Sequence, residues 1–166
     1  MRRPVFLLLL ILLQITLPVK LSGQKPDYRL FDNISLGTEA SVINCFLQDT
    51  QGLIWIGSNK GLFSYDGYST QPHFTFAKRN NTQIYCGTVV DSTYLYLGAD
   101  NGLLIYNYRT DTYEEPETQL PTDIRALLVH DGMLWLGTLN GLYTYSLNDH
   151  QLSAVTEGIP HQTIYS

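Results

Sequence analysis

One segment of this chain recurs three times, and that repetition constrains the fold more than any other feature. The copies read INCFLQDTQGLIWIGSNKGLFSYDG from Ile43, IYCGTVVDSTYLYLGADNGLLIYNY from Ile84 and IRALLVHDGMLWLGTLNGLYTYSL from Ile124. The leading isoleucines fall at 43, 84, 124 and 164, spaced by 41, 40 and 40 residues. The core aromatic recurs as Trp55, Tyr96 and Trp135, and its glycine as Gly57, Gly98 and Gly137. A second glycine recurs as Gly61, Gly102 and Gly141, and a tyrosine four residues later as Tyr65, Tyr106 and Tyr145. A fixed period of this length marks a repeat architecture.

Within a copy, short β-rich runs alternate with turn residues. Ile43 to Gln48 ends at Asp49-Thr50-Gln51-Gly52, Leu53 to Ser58 at Asn59-Lys60-Gly61, and Leu62 to Tyr65 at Asp66-Gly67, before a more polar run from Tyr68 to Phe76. Glycine takes the positive φ that tight turns demand, and aspartate ties its side chain to the turn backbone. Asp49, Gly52, Asp66 and Asp91 are therefore turn residues. Four short antiparallel strands in about 40 residues match a β-propeller blade. Ile54-Trp55-Ile56, Leu95-Tyr96-Leu97 and Leu134-Trp135-Leu136 are apolar without alternation, as strands covered on both faces require. The glycine after each run leaves room for the next blade. A helical repeat of similar length is rejected, because 13 glycines and 12 tyrosines suit strands and turns.

The blades do not begin at the first residue. Met1-Arg2-Arg3, the apolar run Val5 to Leu13 and the small residues before Gln24 have the order of a secretory signal peptide, residues 1–23. An uncleaved anchor is the competing reading, because Ile15 to Leu21 prolongs the apolar run. Export follows from both. Residues 24–40 form a lead-in with a possible ring-closing strand at Asp27 to Phe31. Blades are expected over 41–79, 80–118 and 119–157, and residues 158–166 look like the start of a fourth, truncated blade. The expected architecture is all-β, about three and a half blades of an incomplete ring, a fragment that should be poorly soluble or oligomeric by itself.

Charge excludes one partner class. The leader holds Arg2, Arg3 and Lys20 of the 10 basic residues and none of the 15 acidic ones, so the remainder carries a net charge of −8. Phosphate binding needs a basic face, so nucleic acid is not an expected partner of this segment. Cys45 and Cys86 occupy one position in successive repeats and read as small buried residues, not as a bridge.

Catalytic chemistry finds no foothold. His73, His130, His150 and His161 lack metal-ligand spacing and read as surface residues. Glu114-Glu115-Pro116-Glu117 reads as a solvated loop, and no serine stands in a nucleophile-elbow pattern. No catalytic residue, metal ligand or cofactor is assigned, and ligand contacts are not identifiable. Tyr65, Tyr106 and Tyr145 follow the repeat and read as packing residues. Tyr28, Tyr68, Tyr85 and Tyr113 stand outside it and are free to be exposed. Asn33-Ile34-Ser35 and Asn80-Asn81-Thr82 fit the glycosylation sequon, as chance alone would produce.

The block from Leu47 to Tyr68 resembles the D-x-x-G-x-(I/L)-W-(I/F)-G-T-x-x-G-L-x-x-(Y/F)-D-G repeat of two-component regulator propellers. The lead-in Asp27-Tyr28-Arg29-Leu30-Phe31, Leu36-Gly37 and Ser41-Val42-Ile43 is similar to that family too. The likeness runs over about residues 27 to 166 and is strongest in the first and third copies. The second departs from it at Tyr96, at Ala99 and at Asp91-Ser92-Thr93, which lacks the turn glycine; the first has Ser58 for threonine.

The resemblance implies the periplasmic sensor region of a Bacteroidetes hybrid two-component system, anchored in the inner membrane. In that family two propellers and an immunoglobulin-like domain bind oligosaccharides. A membrane helix then leads to a histidine kinase, a receiver and a DNA-binding domain that switch on glycan-utilisation genes. An oligosaccharide ligand, the remainder of the receptor with its further blades and second propeller, and a homodimer are the implied partners. This segment holds no transmembrane stretch after residue 23, no phosphoacceptor region and no nucleotide-binding glycine box. Two other classes stay open at this point. One is an exported propeller enzyme, a lyase or glycan hydrolase, and the other a scaffold for protein contacts.

Overall fold

The computed structural model describes residues 33–36, 42–73, 82–114, 116 and 118–156, and all of these except Asn33 lie in one compact unit, Ile34–Ser166. Expectations for the signal segment, Asp27 to Phe31, Tyr28, Phe76, His161, Ile164 and residues 158–166 fall outside them. Among the described residues twelve strands form three four-stranded antiparallel sheets, each in sequence order. The first sheet comprises β1 (Ile43–Gln48), β2 (Ile54–Ser58), β3 (Gly61–Tyr65) and β4 (Thr70–Pro72). The second comprises β5 (Ile84–Val90), β6 (Tyr94–Ala99), β7 (Gly102–Asn107) and β8 (Thr112–Glu114). The third comprises β9 (Ile124–His130), β10 (Met133–Thr138), β11 (Gly141–Ser146) and β12 (Leu152–Ala154). These are β-propeller blades, and the described residues contain no helix.

Three different turns join the first two strands of the blades. Asp49 closes the first turn by accepting from the backbone N–H groups of Gln51 (2.9 Å) and Leu53 (3.0 Å), while its other oxygen takes the Trp55 Nε1–H at 3.0 Å. The motif aspartate thus binds the motif tryptophan, which explains why a turn residue is 93 % buried. In the second blade Asp91, at φ 61°, accepts from Thr93 and Tyr94 without a glycine. The third uses Asp131-Gly132 with φ of 50° and 73°, the signature of a two-residue type I′ hairpin.

The next turn explains the hydroxyl of the repeat. Ser58 Oγ donates to Gly61 O and accepts from Lys60 N–H, and Thr138 Oγ1 repeats both bonds with Gly141 and Asn140. Ala99 has no such group, and there Asp100 accepts the Asn101 N–H instead.

The core lies in the two seams between blades. Trp55, Leu62, Ile84, Leu95, Leu97 and Tyr106 fill the first, and Tyr96, Leu103, Ile124, Leu134, Leu136 and Tyr145 the second. Trp135, at the same register, is only half-buried. Trp55 and Tyr96 each face the following blade, whereas among the described residues no blade follows the third. Ile43, 40 % exposed, shows the converse: Ile84 and Ile124 are buried against a preceding blade. Cys45 and Cys86 are free and half-buried, with their thiols pushed up to about 11 and about 12 by burial.

Candidate functional site at the starts of the inner strands

Each first strand begins with an interruption. The ladder between β1 and β2 shifts between Ile43 and Cys45, that between β5 and β6 between Ile84 and Cys86, and that between β9 and β10 between Ile124 and Ala126. A bulge takes one residue out of the ladder and re-aims its side chain. The residues so released are Asn44, Tyr85 and Arg125.

The three meet across adjacent inner strands. Asn44 Nδ2 donates to Ile84 O at 2.6 Å, the carbonyl just before Tyr85. The Arg125 guanidinium lies 3.5 Å above the Tyr85 ring centroid, close cation–π stacking. Its Nη2 donates to Asp123 Oδ1 at 3.2 Å, while its buried Nε has no hydrogen-bond partner. Tyr85 O–H reaches Gln83 Oε1 at 3.4 Å. A shallow cleft lined by Asn101, Gly102, Leu120 and Thr122 opens at the same end of the blades. Chemically, the row offers an amide, an aromatic ring and a guanidinium, all half-buried. That set suits a ligand rich in hydroxyl groups, which needs directional donors and acceptors beside an apolar face.

Tyr85 was expected outside the repeat, and the bulge is the reason it stands apart. The signal was present in the sequence: the residue between Ile and Cys or Ala changes from copy to copy while its neighbours hardly change. Of the other tyrosines in that group, Tyr68 is 97 % exposed, but Tyr113 is half-buried and donates to His73 O at 3.0 Å.

The histidine expectation needs one correction. His73 is not a surface residue: its ring packs 4.9 Å from Trp55 in the first seam, with 15 % of its side chain exposed. Ser64 Oγ lies 2.8 Å from Nε2, and Nδ1 lies 3.0 Å from Asp111 Oδ1 and 2.8 Å from Tyr106 Oη. A proton on Nδ1 satisfies all of these, with Tyr106 O–H donating to Asp111 at 2.6 Å. His130 is exposed at the end of β9, and His150 accepts or donates at Tyr145 Oη, 2.9 Å away.

The repeat residues divide by environment. Asp49, Trp55, Tyr96, Tyr106 and Tyr145 are buried, Gly57, Gly98 and Gly137 sit in second strands, and Gly61, Gly102 and Gly141 open third strands. Gly52 stands in the first turn. Tyr65 differs, being half-buried and hydrogen-bonded to Gly67 O. Among the described residues no cluster of His, Cys, Asp or Glu could hold a metal ion.

These three blades and their bulged row define a β-propeller-type module. Residues 37–60 match the two-component regulator propeller family. The chain is similar to the extracellular domain of BT4673 from B. thetaiotaomicron, at 63 % identity with a TM-score of 0.78 over 82 % of this chain. A second structure of that domain gives 63 % identity and a TM-score of 0.77 over 81 %. One structure describes BT4673 as a one-component system and the other as a hybrid two-component system. By that match and this identity the chain is similar to the two-component regulator propellers. It spans only 19 % of the length of those relatives. The computationally designed Ika4 protein, 16 % identical over 80 % of this chain and 82 % of its own, shares the fold at a TM-score of 0.58. No curated protein matches the sequence.

Proposed function

We propose that this chain is the extracytoplasmic, ligand-sensing part of a two-component signalling receptor, working in the periplasm and without catalysis of its own. The exported character of the leader and the extracellular placement of the BT4673 relatives support the location. The remainder of the receptor would supply further blades and the signalling domains, and a homodimer would transmit the signal.

The observation that carries the reading is the bulged row. Asn44, Tyr85 and Arg125 are polar or aromatic, sit at one position of successive blades, and are released from the ladder that would otherwise fix them. Short oligosaccharides derived from glycans fit such a row, because the ring face packs on a sugar face while amide and guanidinium bind hydroxyl groups. Thermal unfolding of the full chain with a panel of neutral and acidic oligosaccharides tests this. A ligand present at 100 times its Kd stabilises by about 2.7 kcal/mol. The gain should vanish in Tyr85→Ala and Arg125→Ala. A stabilising sugar that acts equally on both variants would place its site elsewhere.

A further inference from the structure

The cleft beside the bulged row lies over the second seam. Leu103, buried at the start of β7, and the half-buried Leu120 give it an apolar floor. Asn101 and Gly102 form one wall, in the turn from β6 to β7. Gln119 and Thr122 form the other, on the crossing from β8 to β9.

The rim is polar, and one side of it is fixed. Asn101 Nδ2 donates to Thr82 Oγ1 at 3.3 Å, and its backbone N–H donates to Asp100 Oδ1 at 2.9 Å. Gly102, at φ 120°, leaves that side of the mouth as bare backbone. Gln119 and Thr122 are exposed and bring an amide and a hydroxyl to the opposite side.

Cleft and row are neighbours. Thr122 stands three residues before Arg125, and an extended chain of that length spans at most about 11 Å. Asp123, between them, accepts from Arg125 at 3.2 Å, and its N–H donates to Asp100 O at 3.1 Å across the seam. A molecule lying on Tyr85 and entering the cleft therefore passes beside two aspartates. The charge of Arg125 is already matched there.

Size and charge narrow the occupant. The cleft holds about 210 Å³, below the roughly 300 Å³ at which pockets for whole small ligands begin, so it suits one unit of a longer ligand. An apolar floor under amide, hydroxyl and backbone groups suits a ring with a C–H face and hydroxyl edges. Carboxylates at the crossing repel a second anion.

We propose that this cleft is a second subsite, seating a further unit of a neutral oligosaccharide whose first unit lies on the row of Asn44, Tyr85 and Arg125. The chain thereby selects linked, uncharged sugars over single sugars and over chains of uronic acids. This inference rests on the reading of the row as a sugar site and adds the length and charge of what it takes.

Isothermal titration calorimetry on the full chain tests it. The probes are glucose, mannose, xylose, galactose and galacturonate, each beside the trimer cut from its homopolymer. A neutral trimer should bind about tenfold tighter than its monosaccharide, a difference of about 1.4 kcal/mol, and the galacturonate trimer should show no such gain. Thr122→Trp, which fills the cleft from its exposed rim, should bring that neutral trimer to the affinity of the monosaccharide. Gln119→Trp obstructs the same cleft independently, and circular dichroism checks that each variant is folded. Tyr85→Ala should lose trimer and monosaccharide alike. A trimer no tighter than its monosaccharide would overturn the subsite, as would a gain that survives both tryptophans in folded protein. An equal gain for galacturonate would overturn the selection of neutral chains. No binding by any probe, monosaccharides included, would instead sink the sugar reading of the row and this subsite with it.

Discussion

Asp49 shows how one side chain joins a turn to a core. It accepts two backbone N–H groups and the buried Trp55 indole, so Asp49→Ala strands a buried donor and should cost about 1–3 kcal/mol in chemical denaturation. Trp55→Ala should cost more, on the order of 3–5 kcal/mol, and Trp135→Ala clearly less, because only Trp55 is enclosed by a following blade. Equal losses would refute the account of the seams. Asp111 carries a pH signature. The Tyr106 hydroxyl and, second, His73 hold its carboxyl below the usual carboxylate range. A depressed folded pKa adds stability that is present above the unfolded value and lost as pH falls through the folded one. Asp111→Asn should therefore flatten the acid limb of a stability–pH curve and leave the slope above pH ~5 unchanged. Cys45 and Cys86, held protonated by burial, should resist iodoacetamide at neutral pH until the chain is unfolded, as intact-mass measurement would show. At this scale the sequence was partly legible. Asp49 announced a turn, but its bond to Trp55 depends on a geometry that spacing does not reveal. His73 reads as a polar residue beside proline, and only the seam makes it a core residue.

The elements were legible to within a residue or two where turn chemistry was explicit. The expected Leu62 to Tyr65 strand is Gly61–Tyr65, and the polar fourth strand shrinks to Thr70–Pro72 among the described residues. The bulges were legible only as one variable residue between near-constant neighbours, because all three copies carry them and the spacing of the repeat is unchanged. The glycines of the second strands give a graded prediction. At Gly57 an added methyl meets side chains alone, whereas at Gly98 it also meets the Ile124 carbonyl oxygen at 2.9 Å. Side chains can yield and backbone cannot easily do so, so Gly98→Ala should destabilise more than Gly57→Ala, within a range of about 1–3 kcal/mol. The opposite order in thermal unfolding would mean that the second seam is the softer one.

At the scale of the molecule, the three blades and two seams of the described residues should behave as a short one-dimensional array in which each unit is steadied by its neighbours. The middle blade shares both seams. Its β6 and β7 amides should therefore exchange hydrogen most slowly, with the first and third blades opening earlier. Uniform protection across the three would contradict this nearest-neighbour picture. Which blade is central follows from the repeat count and was open to a reader of the sequence. What stands at the ends was not, because Ile43, Trp135 and Leu128 belong to one repeating pattern with buried equivalents and differ from them only in their neighbours.

The bulge after each leading isoleucine has an evolutionary consequence. Its residue stands outside the ladder of its own blade, so its replacement leaves the strand pairing intact and alters only the contacts within the row. Drift can rewrite Asn44, Tyr85 and Arg125 as a set while the ladder stays fixed. A lineage that duplicates such a gene can diverge along this row without first relearning how to fold.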